Sequence, residues 1–182
     1  GTQGNADSVR GVVSVSDNGR YVAFGSSASN LVAGDTNGAQ DVFRKDLWTG
    51  ELLLASSTSD WTPASGELAV LNPGPNFLGG MSADGRYIVF TSYASNLGPG
   101  DTNGASDVFV KDMQSGFISR VSTNSNGSQA NGNSTGTGLS ANGRYVVFDS
   151  SASNLVAGDS SQARDAFEKD LATGITILIS ES

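Results

Sequence analysis

The chain has 182 residues, with 10 Lys and Arg against 18 Asp and Glu, 24 Gly, and neither His nor Cys. The missing His and Cys exclude a His general base, a Cys nucleophile and the usual zinc, haem and iron–sulfur ligand sets. A formal net charge of −8 argues against a nucleic-acid partner, which needs clustered Lys and Arg, and no apolar run approaches the ~18 residues that span a bilayer.

Only 15% of the residues are charged, so the Glu/Lys-rich faces of solvated helices are missing. Gly, Ser, Thr and Asn instead favour β-structure with many turns. Without Cys there is no disulfide framework. The first residue is Gly1 rather than Met, and no charged-then-apolar leader is present, which reads as a processed form or a piece cut from a longer chain. Abundant Ser, Thr, Asn and Gly with scarce Lys points to export, to an extracellular or periplasmic location.

In chain order, the first strand signal covers residues 12–15 and leads into the turn Asp17-Asn18-Gly19. A β-branched and aromatic run over 20–24 follows, then an acidic loop Asp35-Thr36-Asn37-Gly38, a strand over 41–45, the turn Thr49-Gly50 and a strand over 51–55. The same series returns with strands over 86–90, 107–111 and 117–121, and again over 144–148, 165–169 and 175–179. The three units run over 14–56, 80–122 and 138–180, and Arg20, Arg86 and Arg144 place them 66 and then 58 residues apart. The leader GTQGNADS at 1–8 also matches GSQANGNS at 127–134. Runs such as Tyr145-Val146-Val147-Phe148 are apolar on both faces, so each small sheet should be covered on both sides. Helical periodicity is absent. The fold expected is all-β: three four-stranded antiparallel blades of a β-propeller, with boundaries near 1–59, 60–124 and 125–182.

The units resemble the TolB-type β-propeller repeat. The resemblance rests on S-x-[DN]-G-R-Y-[VI]-[AV]-F, then S-N-L, then G-D-T-N-G-x-x-D-V-F-x-K-D and [TS]-G, and it covers nearly the whole chain. It implies that each unit is one blade and that the protein is an exported binding or scaffold module. Two departures stand out. Closed propellers of this type usually have six or more blades, whereas three are present, half a ring or an open arc. The third unit also reads Gly158-Asp159-Ser160-Ser161-Gln162, without Thr-Asn-Gly.

Three blades would leave an apolar face and an unpaired strand edge at each end, and such surfaces drive association. Pairing of two chains gives a ring of six blades, and head-to-tail contacts that do not close give a filament. Donation of residues 1–15 to a neighbouring chain would fit either. A structural, self-assembling and non-catalytic protein whose partner is itself is therefore the first functional expectation. The alternative is a calcium-assisted module that binds a ligand such as a carbohydrate.

The acidic loops carry that alternative. Asp35, Asn37 and Asp41, like Asp101, Asn103 and Asp107, set side-chain oxygens at positions one, three and seven around a Gly, a pattern of hard ligands suited to Ca²⁺. Position five has no carboxylate and position twelve no Glu, so the EF-hand pattern is not met. A structural Asx-turn reading stands beside the metal one. Asp159 and Asp165 keep the carboxylates of the third unit, where any site should be weaker. No cofactor is required by any motif.

Lys45-Asp46, Lys111-Asp112 and Lys169-Asp170 recur in every unit, which argues for turn capping rather than catalysis. Arg20, Arg86 and Arg144, each followed by Tyr, are expected to stack and hydrogen-bond between blades. The second unit carries about eight extra residues in its lead-in, within 60–79. Trp61, Leu68, Val70, Leu71 and Phe77 there, with Trp48 in a turn at the opposite rim, are the candidate contact surface. Asn126 and Asn133 begin two Asn-x-Ser/Thr sequons, candidate glycosylation positions.

Overall fold

A computed structural model describes residues 3–8, 13–65, 78–159 and 163–180. It contains three four-stranded antiparallel sheets. The first is β1 (Ser14–Val15), β2 (Tyr21–Ser26), β3 (Asp41–Asp46) and β4 (Leu52–Leu54). The second is β5 (Leu78–Met81), β6 (Tyr87–Ser92), β7 (Asp107–Asp112) and β8 (Ile118–Arg120). The third is β9 (Ser134–Leu139), β10 (Tyr145–Ser150), β11 (Asp165–Asp170) and β12 (Thr176–Leu178). Every sheet is ordered as its strands follow one another in the chain, as expected of propeller blades.

The central hairpins share one register: Tyr21 pairs with Asp46, Tyr87 with Asp112 and Tyr145 with Asp170. The outer strands are shorter than the apolar runs suggest. Ala55 N and Ser56 N both donate to Val42 O, which closes the ladder one residue after Leu54. Each Ser-x-[Asp/Asn]-Gly-Arg-Tyr motif folds as one hydrogen-bonded turn. Ser16 Oγ donates to Asn18 Oδ1, Arg20 N donates to the same oxygen, and Tyr21 N donates to Ser16 Oγ. The bonds recur at Ser82, Asp84, Arg86 and Tyr87, and at Ser140, Asn142, Arg144 and Tyr145.

Period-two alternation splits each central strand between two interfaces. Ile88, Phe90 and Phe109 pack towards the first blade in a core with Ala23, Val42, Met81 and Leu97. Val89, Val108 and Val110 pack towards the third, in a core with Val146, Phe148 and Phe167. A stacked Phe pair marks every blade, with ring centroids 5.8, 6.0 and 5.6 Å apart. The middle blade is thus buried on both faces, and each end blade on one.

The lead-in segments are held by asparagines. In the S-N-L motif, Asn96 Nδ2 donates to Pro63 O while Ser65 N donates to Asn96 Oδ1. Asn154 clamps Gln129 and Asn131 in the same way, and Asn30 clamps Gln3 and Asn5. The described part of the leader, residues 3–8, therefore belongs to the chain's own first blade, and Ser8 forms a bridge to Ser26. This differs from donation to a neighbour, because Asn30 supplies the clamp within the same chain. The extra residues of the second unit follow Ser65, which corresponds to Asn131, and so fall within 66–77, outside the described residues.

Candidate functional site

The acidic loops sit where one blade meets the lead-in to the next. Asn37 Nδ2 donates to Ala64 O and Asn37 Oδ1 accepts from Ala39 N. Asn103 makes the same two bonds with Ala130 and Ala105. These two amides join the loop to the following blade and build an Asx-turn. The last Asp of each loop opens the second long strand, and Ser56 Oγ donates to Asp41 Oδ1 at 2.6 Å while accepting from Val42 N. Ser122 and Asp107 repeat this, as do Ser180 and Asp165. The buried strand amide is satisfied through the serine hydroxyl rather than by the carboxylate directly.

The carboxylates of the first two blades share this scaffold and differ in their surroundings. In the second blade, Gln129 Nε2 donates to Asp101 Oδ1 at 2.9 Å and to Asp107 Oδ2 at 3.0 Å. The Arg120 guanidinium lies 3.3 Å from Asp107 and 3.6 Å from Asp101. In the first blade the register puts Leu54 where Arg120 stands and Pro63 where Gln129 stands. Asp35 and Asp41 are buried, and among the described residues Asp35 Oδ1 and Asp41 Oδ2 have no hydrogen-bond partner. Burial pushes the Asp41 carboxyl up to about 6, against bonds from Ser56 and Asn37 and with a further push from Asp35. Asp107 is also raised by burial, but Ser122, Arg120 and Gln129 act in the other direction. In the third blade Asp159 Oδ2 has no hydrogen-bond partner among the described residues, and Asp165 accepts from Ser180.

The Lys-Asp pairs have separate tasks. Asp46 Oδ1 accepts from Trp48 N and Thr49 N, the turn capping expected, and Asp112 and Asp170 cap their own turns. The same carboxylates receive the arginines: Arg20–Asp46, Arg86–Asp112 and Arg144–Asp170 pair at 2.7, 2.7 and 2.8 Å. Each arginine also covers the Tyr beside it, at 4.8, 4.8 and 4.9 Å. These contacts lie inside one blade, so the arginines do not bridge blades; the register places Arg and Asp on the same hairpin end, one step from Tyr.

The tyrosines and lysines make the bridges instead. A Cβ on Gly85 would lie 2.3 Å from the Tyr21 ring, and one on Gly143 would lie 2.3 Å from the Tyr87 ring. Each Tyr therefore seats on the Gly turn of the next blade, beside the backbone bonds Asp17 N to Ala83 O and Ala83 N to Ala141 O. Lys111 Nζ donates back to Ser57 O and Thr58 O, and Lys169 Nζ to Thr123 O and Asn124 O. Burial lowers Lys111 to about 8.

At the two ends these halves stand apart. Gly19, the counterpart of Gly85, has nothing within 4 Å of where a Cβ would be. Tyr145, the counterpart of Tyr21 and Tyr87, has no Gly turn against its ring among the described residues. Lys45 donates locally to Gly50 O. Val13 and Val15 are exposed on the first blade, as are Ile177 and Ile179 on the third.

The remaining candidates are dispersed. The Trp61 ring lies 4.2 Å from Lys111 Nζ and against Gly116, with positive φ (65°). Trp48 is 69% exposed, its ring 5.0 Å from the Arg20 guanidinium. Leu68, Val70, Leu71 and Phe77 lie outside the described residues. Asn126 is exposed. Asn133 is exposed too, and its Oδ1 accepts from Ser106 N.

No family model matches the chain, and no curated protein does. Solved structures are similar over nearly all of it. TolB from Acinetobacter baumannii is 13% identical with a TM-score of 0.55, over 97% of this chain and 33% of that one. A putative TolB from Agrobacterium tumefaciens is 15% identical with a TM-score of 0.58, over 99% and 49%. The tricorn protease is 16% identical with a TM-score of 0.53, over 94% and 14%. The chain spans about a third to a half of the length of the two TolB proteins. These likenesses show the fold, a run of TolB-type propeller blades.

Proposed function

We propose that this chain is a non-catalytic propeller segment that assembles head to tail with copies of itself, the third blade of one copy docking on the first blade of the next. The observation that carries this is the junction repeated twice within the chain, whose two halves stand unmatched on the first and third blades among the described residues. Tyr145 is the ring without a turn, and Gly19 is the turn without a ring. Lys45 is a third such half, since Lys111 and Lys169 reach carbonyls of the preceding unit. Val22 and Phe24, at the positions of the fully buried Ile88 and Phe90, are only half-buried, as an unpaired blade face should be. Burying such a face contributes about 25 cal/mol per Å². The non-catalytic part of the reading rests on repetition: the charged constellations recur blade after blade with structural partners. Its Ser/Thr/Asn/Gly-rich composition fits an exported protein.

Sedimentation velocity at micromolar concentration tests the proposal. The wild-type chain should sediment as a dimer or larger, with a concentration-dependent coefficient. Tyr145→Ala, whose ring has no neighbouring turn to cover within one chain, should keep the fold and shift the population to monomer by tenfold or more in dissociation constant. A wild-type chain that stays monomeric across this range overturns it.

A further inference from the structure

The first and second blades differ at one buried point. In the second blade a single atom, Gln129 Nε2, touches both carboxylates at 2.9 and 3.0 Å, and the Arg120 cation faces both. The two carboxylates therefore converge closely enough for one atom to sit between them. In the first blade Asp41 hangs on the same latch, Ser56 to Asp41 matching Ser122 to Asp107, and Asp35, at the position of Asp101, stands near enough to act on it electrostatically. Gln129 and Arg120 have no counterpart there: Leu54 and Pro63 take their places and line an open cleft with Leu31, Ala33 and Trp61, and the donors left to Asp41 are Ser56 and Asn37. Asp41 is 0% exposed and Asp35 8%, and an unpartnered oxygen remains on each. Buried carboxylates without a counter-charge are strongly unfavourable.

We propose that the first blade holds one divalent, oxygen-seeking cation, Ca²⁺ by the chemistry of its ligands, between Asp35 Oδ1 and Asp41 Oδ2, at the place that Gln129 and Arg120 fill in the second blade. Calcium–oxygen distances of about 2.3–2.6 Å ask for a small contraction from the spacing seen around Gln129 Nε2. Among the described residues no third His, Cys, Asp or Glu joins the pair, so carbonyl and water oxygens complete the shell. Asn37 and Asn103 are not ligands in this reading, because their amides hold the lead-ins. The second blade needs no metal, since a guanidinium already stands there. Both carboxylates belong to one chain, so the site is independent of assembly.

Isothermal titration of calcium chloride into chelator-treated full chain tests it, alongside thermal unfolding with calcium or with EDTA. One calcium per chain is expected, with an upward midpoint shift of roughly 2–4 °C, the size of a 1 kcal/mol effect in a chain of this length. Asp41→Asn should abolish both. Leu54→Arg, which copies the second blade, should abolish the binding as well, and the Asp41→Asn result stands alone if that variant fails to fold. No binding heat and no midpoint shift in the wild-type chain, or binding of equal strength in Asp41→Asn, overturns the proposal.

Discussion

Lys45, Lys111 and Lys169 stand at one position of the repeat, yet their neighbours differ. Lys111 is wholly buried and donates to Ser57 and Thr58 at the end of the preceding unit. Burial opposes its charged form and holds it at about 8, below the usual 10.5. Between those two values the unfolded chain retains a proton that the folded chain has released, so stability rises with pH there. Below pH 8 the unfavourable burial of the ammonium is present in full. A urea-unfolding series from pH 7 to 10 should show this rise in the wild-type chain and a flatter profile in Lys111→Met; parallel profiles would contradict the assignment. The lysines show what a sequence motif conceals. Recurrence marked Lys-Asp as structural, and the turn capping by the Asp was readable from the Thr/Ser-Gly that follows. The reach of the Lys to the preceding unit was not, because it depends on how blades stack. The orphaned Asp35 and Asp41 were likewise hidden in residues far along the chain. Aligning β4 and the lead-in of each unit, rather than the acidic loop alone, would have exposed the replacement of Arg120 by Leu54 and of Gln129 by Pro63.

At the scale of elements, the strands were legible because β-branched and aromatic runs between Asn-Gly and Thr-Gly turns leave little choice. Their ends were less so, since the outer strands stop where Ala55 and its counterparts bend back to the long strand. The S-N-L motif gave no hint of its task. Only the folded chain shows Asn30, Asn96 and Asn154 as clamps on the incoming segment. The arginines were expected between blades and instead close their own hairpins on Asp46, Asp112 and Asp170, whose carboxyls they hold well below the usual range. The junction proper is Tyr on Gly. Gly85 and Gly19 share a left-handed backbone, with φ of 74° and 69°, so alanine strains both by about 1–2 kcal/mol. Only at Gly85 would the new methyl also strike a ring. Gly85→Ala should therefore cost roughly 1–3 kcal/mol more than Gly19→Ala, the range for overpacking, in denaturant unfolding at dilute concentration. Equal losses would remove the Tyr21 contact as a stabilising feature of the junction.

At the largest scale, the three described blades form two complete interfaces with one another and leave one face of the first and one of the third without a neighbouring blade. The inner blade fills both of its faces with Ile88, Phe90, Val89 and Val108, all at 0% exposure. Val22 and Phe24, with Val147 and Ala166, hold the equivalent places at the ends and remain partly open. In the proposed assembly the third blade of one copy meets the first blade of the next as consecutive blades meet within the chain. The number of blades was countable from the spacing of Arg20, Arg86 and Arg144. The fate of the end faces was not, because a repeat read along the chain carries no record of what lies beyond it.

Negative-stain electron microscopy of the wild-type chain at micromolar concentration tests the assembly most directly. Head-to-tail docking of the third blade on the first predicts closed rings of six blades or extended filaments. Isolated three-blade particles at that concentration would contradict it.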